Sequence, residues 1–368
     1  MTMMSKMGKI SYVQLAVMLI LCRVFASAMS FPTEAPQFGM QRFTVIVCAK
    51  ILLCILFLPL FFIARKYEGE SFLTIAIGKS KALGWVFGVI YGFTLLCAAI
   101  ISVVKFEYYT SSTIMNNASA ALLVSLLILV CLYGAYKGVE AMGRTGSIIL
   151  AMFGVFLGLM IISLWDKMNF VYLYGTLIDN GETFWSEAIT ELSRNSEVLL
   201  FGVLAQYVRQ KAYRAVYVYI AAIAFVILIF AFMTMTVLGP YMNSVSFPIY
   251  TLSSMSDIVL FHRLDGIDVG VWVLAAIVKV TLYAAAFQTA AYHLVSEKAA
   301  KFAPLAFLAA VGIAGWYFSE NKDFIIGAKG VFNTGIPLII CGFVLPLISL
   351  CIAERRKHEK TDMFDSVG

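Results

Sequence analysis

Charged residues are scarce in this sequence. Asp, Glu, Lys and Arg make up 13% of the 368 residues, whereas about 25% is usual for a soluble domain. Hydrophobic residues account for 61%, and they are gathered in runs longer than a buried strand or core helix requires. The composition therefore excludes a soluble globular protein and predicts an all-α membrane protein.

Several motif classes are also missing. The seven cysteines lie in or beside apolar runs without a CxxC pair, so they indicate neither a disulfide framework nor a metal site. The three histidines are scattered, and the sequence shows no glycine-rich phosphate loop and no nucleophile–base arrangement. The formal charge of +6 arises from basic residues in short loops, which set membrane topology and do not indicate a nucleic-acid partner. We predict no enzyme, no cofactor and no metal, and a lipid bilayer as the surroundings.

Ten apolar runs have about the length that crosses a bilayer, which is roughly 20 residues. With the amino terminus in the cytoplasm, most lysines and arginines fall in the cytoplasmic segments, which predicts an even number of spans and both termini inside. We expect one permease-like transmembrane domain over residues 1–353 and a short charged cytoplasmic tail over 354–368. The predicted spans are 10–31, 43–63, 82–106, 119–136, 146–164, 188–208, 215–238, 267–294, 303–318 and 333–353.

Ten spans divide into two halves of five, and an odd number of spans gives the halves opposite orientations. Such 5+5 inverted repeats build many secondary transporters, whose sites lie between discontinuous helices. Spans one and six hold equivalent positions, and polar residues interrupt both: Arg23, Ser27 and Pro32 in the first, Asn195, Ser196 and Glu197 in the sixth. We therefore predict broken helices 1 and 6, whose free carbonyls and helix N-termini suit a zwitterion.

Two of these polar residues also have a simpler explanation. Arg23 lies close enough to the predicted span end for its side chain to reach the outer interface by snorkelling. Glu197 could begin a later-starting helix in water, where the helix dipole favours a carboxylate. The sequence leaves these explanations open.

Lys279 stands at the centre of the run VWVLAAIVKVTLYAAAF (271–287), which has no other charged residue. At helical spacing it shares a face with Trp272, Ala276, Tyr283 and Ala286, a surface that suits close helix packing rather than lipid. An ionisable residue inside a membrane helix usually marks a functional site. We predict that Lys279 is a structural or functional intramembrane cation whose partners are carbonyl oxygens of the first span.

The segment 238–287 resembles the endospore germination permease family, the B subunits of GerA-type spore germinant receptors. The Ser196-Glu197 pair that opens the sixth span and the stretch KISYVQLAV (9–17) also resemble the family, so the resemblance extends over essentially the whole chain. The matching residues in the segment are LGPY (238–241), FP (247–248), Tyr250, Leu252, Ser256, Phe261, RLD (263–265), Trp272, Lys279 and Tyr283.

The resemblance implies the amino acid-polyamine-organocation superfamily and a leucine-transporter-type fold. It also implies recognition of a small nutrient, usually an amino acid, in the inner membrane of a dormant spore, with a signal passed through receptor A and C subunits. This sequence departs from the pattern of such permeases at one point. They usually carry glycines at the break in the first span, whereas here Arg23 lies in that stretch.

We expect the ligand pocket between spans one, three, six and eight. The sequence leaves two other functions open. One is a secondary amino acid transporter coupled to protons through Glu197, which uptake by proteoliposomes would reveal. The other is a scaffold or ion-conducting subunit without its own ligand, in which pocket substitutions would leave nutrient specificity unchanged. The residues expected to bind the ligand are Arg23, Ser27, Cys97, Ile101, Glu197, Leu200 and Tyr283.

Overall fold

The computed structural model describes residues 9–28, 39–115, 118–178, 180–257, 264–321 and 334–365. Within these ranges the chain is almost entirely helical and has no β-strand, and its one isolated bridge joins Ile10 to Val208. The prediction of an all-α protein is confirmed.

Fourteen helices are described here, and short 3-10 or π-helical segments extend or connect several of them. The α-helices are α1 (Tyr12–Ala28), α2 (Met40–Lys66), α3 (Phe72–Lys79), α4 (Lys81–Thr113), α5 (Ala120–Lys137), α6 (Val139–Leu164), α7 (Gly181–Ser193), α8 (Glu197–Leu204), α9 (Arg214–Met233), α10 (Pro248–Met255), α11 (Asp265–Leu294), α12 (Glu297–Glu320), α13 (Ile336–Ile339) and α14 (Leu345–Asp365). The 3-10 segments are Trp165–Lys167, Phe170–Leu173, Ala205–Tyr207 and Gly239–Ser244, and the π-helical ones are Thr234–Leu238 and Ile340–Val344.

In the described ranges, eight helical segments are long and apolar enough to cross a membrane. They contain α2, α4, α5, α6, α9, α11, α12 and the last segment, Ile336–Arg355, and they identify a multi-pass membrane protein. The first predicted span is a shorter apolar helix, and the sixth corresponds to the short helices α7 and α8. The predicted total of ten spans is therefore not reached by this criterion and stays a prediction.

Helix α2 shows how the outer surface of the bundle suits lipid. Its exposed residues include Val47, Ile51, Ile55, Leu58 and Phe62, which recur every three or four positions and so form one apolar stripe. A helix on the surface of a soluble protein would carry polar residues on that stripe. The stripe therefore fits the hydrocarbon of a bilayer.

Helix α11 lies at the centre of the described bundle, in contact with α1, α4, α5, α6, α8 and α12. Small residues let these neighbours approach its backbone closely, and Ala275, Ala276, Ala284 and Ala286 are all buried. Because α11 is enclosed by protein, a polar side chain at its middle faces other helices and not lipid.

Two boundaries differ from the sequence prediction. Helix α1 is continuous through Arg23 and Ser27 to Ala28, which corrects the prediction of an unwound turn at these residues. The guanidinium of Arg23 is satisfied by the side chains of Glu191, Asn195 and Ser27, so its burial does not require carbonyls freed by an unwound turn. Pro32, the remaining residue of the predicted break, lies outside the described residues. At the other end, α14 runs to Asp365, so the predicted tail begins within a helix.

Candidate functional site

Helices α7 and α8 meet at a junction of three residues, 194–196, inside the protein. Asn195 is fully buried there, and its Nδ2 donates to the carbonyl oxygens of Glu191 at 2.9 Å and Leu192 at 3.0 Å. The last carbonyls of a helix lack partners within the helix, so this side chain caps α7. Glu197 can therefore begin α8 directly beside α11.

An ion pair between Lys279 and Glu197 occupies the space beside this junction. Lys279 Nζ lies 2.9 Å from Glu197 Oε1 and donates a second hydrogen bond, of 3.1 Å, to the carbonyl oxygen of Cys22 in α1. The exposed fractions of the two side chains are 3% and 0%, so water does not screen the pair. A buried charge persists only when it is paired and hydrogen-bonded, and here three helices supply those partners.

Aromatic and hydroxyl groups surround this ion pair. The rings of Phe25 and Tyr283 lie 5.7 Å and 5.9 Å from Lys279 Nζ, within the range of a cation–π interaction. The hydroxyls of Tyr283 and Ser196 are 2.7 Å apart and share a hydrogen bond. From α4, Tyr91 donates to the carbonyl oxygen of Leu199 at 2.6 Å. Helices α1, α4, α8 and α11 thus meet at one polar centre.

A second centre forms around Glu191 in α7. Its Oε1 accepts from Arg23 Nη2 at 2.5 Å and from Lys50 Nζ at 3.2 Å, and its Oε2 accepts from Arg194 Nη1 at 3.3 Å. Arg23 also donates to Ser27 Oγ at 2.5 Å. Arg23 is 1% exposed, which excludes snorkelling in this structure. Three cations surround one carboxylate, so this centre carries surplus positive charge.

Asn195 and Tyr219 link the two centres. Asn195 Oδ1 accepts from Arg23 Nε at 3.2 Å and from Lys50 Nζ at 3.5 Å. The Tyr219 hydroxyl lies 3.3 Å from Asn195 Oδ1 and donates toward Glu197 Oε2 at 3.5 Å. The hydrogen bonds of a buried polar network polarise one another, and a member left without its partner is unfavourable. We therefore expect that removing a hydrogen bond at one centre alters the hydrogen bonds of the other.

The structure brings together some of the predicted site residues but not all. Glu197, Tyr283 and Lys279 meet in the first centre, while Arg23 and Ser27 belong to the second. Leu200 is fully buried in α8.

Cys97 and Ile101 lie on α4 with part of each side chain exposed, and the described residues show no hydrogen bond from Cys97 to either centre. Helix α4 reaches the first centre through Tyr91 instead. A role for Cys97 and Ile101 in binding stays a prediction.

Sequence reasoning did not identify Glu191, Lys50 and Tyr219 as site residues. Lys50 lies inside the second apolar run. An ionisable residue inside a membrane helix usually marks a functional site, and this signal, used for Lys279, was present for Lys50 as well. Glu191 stands four positions before Asn195, and residues at that spacing share a helix face. Tyr219 had no comparable signal, because a tyrosine in an apolar run is ordinary.

Replacing Tyr283 by phenylalanine tests the hydroxyl contact at the junction. The change removes the hydrogen bond to Ser196, so we expect the free energy of unfolding to fall by about 1 kcal/mol. Equilibrium unfolding of the purified protein in mixed micelles measures the difference. Tyr133→Phe, at a tyrosine that is 65% exposed on α5, is the matched control and should change little. A loss no larger than the control's would contradict the prediction.

These features define the class as a multi-pass helical membrane protein with an ionised polar centre buried among its helices. The model of the family described as spore germination protein matches residues 9–323. The chain therefore belongs to the spore germination protein family, and placement in the amino acid-polyamine-organocation superfamily is consistent with that match. No individual curated protein matches the chain.

Proposed function

We propose that this protein is the membrane subunit of a spore germinant receptor that recognises a small nutrient, an amino acid, at the junction of α7 and α8. The observation that supports this most directly is the buried Lys279–Glu197 pair, which stands where α1, α8 and α11 meet in a chain of the spore germination family. The pair is buried and bordered by the rings of Phe25 and Tyr283, and small-molecule sites combine aromatic side chains with a few polar groups in this way.

The ligand binds by exchange with the internal ion pair. An amino acid carries an ammonium and a carboxylate, the same two groups that Lys279 and Glu197 present to each other. Its ammonium takes the place of Lys279 at Glu197 Oε1, and its carboxylate pairs with Lys279 Nζ. Because every charge keeps a partner, the exchange avoids the large penalty of a buried unpaired charge.

Helix α8 is the element that responds to the exchange. It has eight residues and is bounded by the junction 194–196 and by the 3-10 segment Ala205–Tyr207, so it can shift between its packed neighbours. Its movement is the signal passed to the receptor A and C subunits to start germination.

The proposal also includes the number and arrangement of the membrane spans. Helix α1 is the first span, and α7 and α8 are the two halves of a broken sixth span, which completes ten spans in a 5+5 inverted repeat of leucine-transporter type. Residues 1–353 form one permease-like domain with the tail 354–368. The protein lies in the spore inner membrane with both termini on the core side.

Thermal unfolding against a panel of amino acids, sugars and nucleosides tests the proposed recognition. We expect one or more amino acids to raise the midpoint by mass action, equivalent to about 2.7 kcal/mol at a hundred times the dissociation constant. In Glu197→Gln, which loses the carboxylate for the ligand's ammonium, that rise should be reduced.

The control for this measurement is Glu140→Gln, which alters an exposed pair with Arg144 on α6 and should leave the ligand response intact. Unchanged stabilisation in Glu197→Gln would contradict the proposed site. Accumulation of the stabilising amino acid in proteoliposomes would show that the protein transports it, and would contradict a role in recognition alone.

A further inference from the structure

A cleft of about 370 Å³ lies between α2 and the polar face of α7. Arg42 lines it from α2, Ser186 and Thr190 line it from α7, and Arg194 lines it from the first position after α7. Small-molecule sites begin at about 300 Å³, so the cleft has room for a molecule the size of an amino acid. Neither Lys279 nor Glu197 lines it, so it is separate from the ion pair on which the proposed function rests, although Arg194 belongs to the adjoining junction 194–196.

The two arginines of this cleft have hydrogen-bond donors to spare. Within the described part of the chain, Nε of Arg42 is buried and has no acceptor. Arg194, among the same residues, donates one side-chain hydrogen bond, from Nη1 to Glu191. A guanidinium offers five N–H donors, and a buried donor without a partner is unfavourable. The cleft therefore favours a ligand that brings acceptors.

The acidic residues of the cleft leave these donors available. Glu182 and Glu187 line the cleft, but no ion pair joins either of them to Arg42 or Arg194 where the structure describes the chain. Both oxygens of Glu191 are already taken, by Arg23 and Lys50 on one side and by Arg194 on the other. Arg42 and Arg194 lie close enough to Glu187 to act on it electrostatically, but the described residues show no hydrogen-bonded ion pair between them. The cleft therefore presents cationic and anionic groups together, an arrangement complementary to a zwitterion.

We propose that this cleft is a second binding site, in which Arg42 and Arg194 hold the carboxylate of a small zwitterionic ligand. Arginine forms charge-assisted and often bidentate hydrogen bonds with carboxylates. The ligand's ammonium lies toward Glu187. The choice of an amino acid as the zwitterion rests on the proposed function, whereas the carboxylate chemistry rests on the cleft itself.

Glu191 connects the cleft to the interior of the protein. It lines the cleft and also holds Arg23 and Lys50 in the buried centre around it. A carboxylate bound at Arg194 competes with Glu191 for that guanidinium. Occupation of the cleft is therefore coupled to the charges that fix α7 against α1 and α2.

Protection of the cleft arginines from phenylglyoxal, a reagent for guanidinium groups, tests the proposal. The full-length protein is held in phosphatidylcholine nanodiscs and labelling is read by mass spectrometry. The probes are acetate, glycine and glycinamide, which keeps the ammonium of glycine but lacks its carboxylate. Arg65, exposed near the other end of α2, is the internal reference.

We expect acetate and glycine to slow the labelling of Arg42 and Arg194 about tenfold at about ten times the dissociation constant, since only the free site reacts. Glycinamide should give no protection, and labelling of Arg65 should not change. In Arg194→Lys, which keeps a cation beside Glu191 but loses the planar fork, protection of Arg42 should require about tenfold more glycine.

Equal labelling of Arg42 with and without acetate and glycine would overturn the proposal. So would equal protection by glycine and glycinamide, or protection that arises only when phosphatidylglycerol is added, which would assign the cleft to a lipid headgroup. Protection of Arg42 by glycine, together with amino acid stabilisation that is the same in Glu197→Gln as in the unchanged protein, would refute the proposed function at the ion pair and leave this site standing.

Discussion

Replacing Lys279 by methionine is expected to destabilise the protein by about 3–5 kcal/mol, because it leaves the carboxylate of Glu197 buried without a cation. Glu197 is fully buried, and among the described residues the other side-chain hydrogen bond to it is the long one from Tyr219 at 3.5 Å. Methionine fills a similar volume, so the loss reports charge and not a cavity. Equilibrium unfolding in mixed micelles measures it.

The double variant Lys279→Met/Glu197→Gln separates the charge effect from other damage. Removing both charges leaves no unpaired ion, and buried pairs are often replaceable by neutral groups at little cost. We expect the double variant to recover more than half of the stability lost in Lys279→Met. Lys66→Met is the control, because Lys66 pairs with Glu354 on the surface, where their side chains are 51% and 45% exposed. A double variant no more stable than Lys279→Met would show that charge pairing is not what holds the centre together.

Replacing Glu191 by glutamine is expected to have an effect at least as large, about 3–5 kcal/mol. Glutamine keeps the shape of the side chain but removes the one carboxylate that Arg23, Lys50 and Arg194 share. Three neighbouring cations in a site of low dielectric then repel one another. The yield of monodisperse protein and its equilibrium unfolding report the loss.

A second change should partly rescue this variant. Adding Lys50→Met to Glu191→Gln removes one of the three repelling cations, so stability should rise again relative to the single variant. Glu140→Gln, in the exposed pair with Arg144, is the control and should cost less than about 1 kcal/mol. If Glu191→Gln behaves like this control, the shared carboxylate does not hold the three cations together, and the prediction is wrong.

Some of the site could be predicted from the sequence because charged and polar residues are rare within runs that cross a bilayer. Lys279 interrupts a long apolar run, and Asn195, Ser196 and Glu197 interrupt another, so composition alone marked them. Helical spacing also placed Tyr283 on the same face as Lys279, and both contact the α7–α8 junction. The family resemblance rested on residues that the family match then covered.

Other features depended on which helices face each other. Lys279 and Glu197 are 82 positions apart, and Arg23 and Glu191 are 168 apart. Periodicity assigns a residue to a face of its own helix, but it does not say which helix lies opposite. For that reason the sequence did not predict that Glu197 pairs with Lys279. Arg23 was expected to mark an unwound turn, whereas α1 is helical there and the guanidinium pairs with Glu191 of α7.

The sequence by itself determined that this is an all-α, multi-pass membrane protein of the spore germination family with ionisable residues inside its apolar segments. Hydrophobic run length and isolated charges are local properties, and a bilayer imposes them directly. Only the tertiary structure decided the oppositely charged partners of those residues, the surplus of cations around Glu191 and the cleft of Arg42 and Arg194. These depend on how α1, α2, α7 and α11 pack, because a buried charge is stabilised by whichever groups other helices place within hydrogen-bonding distance.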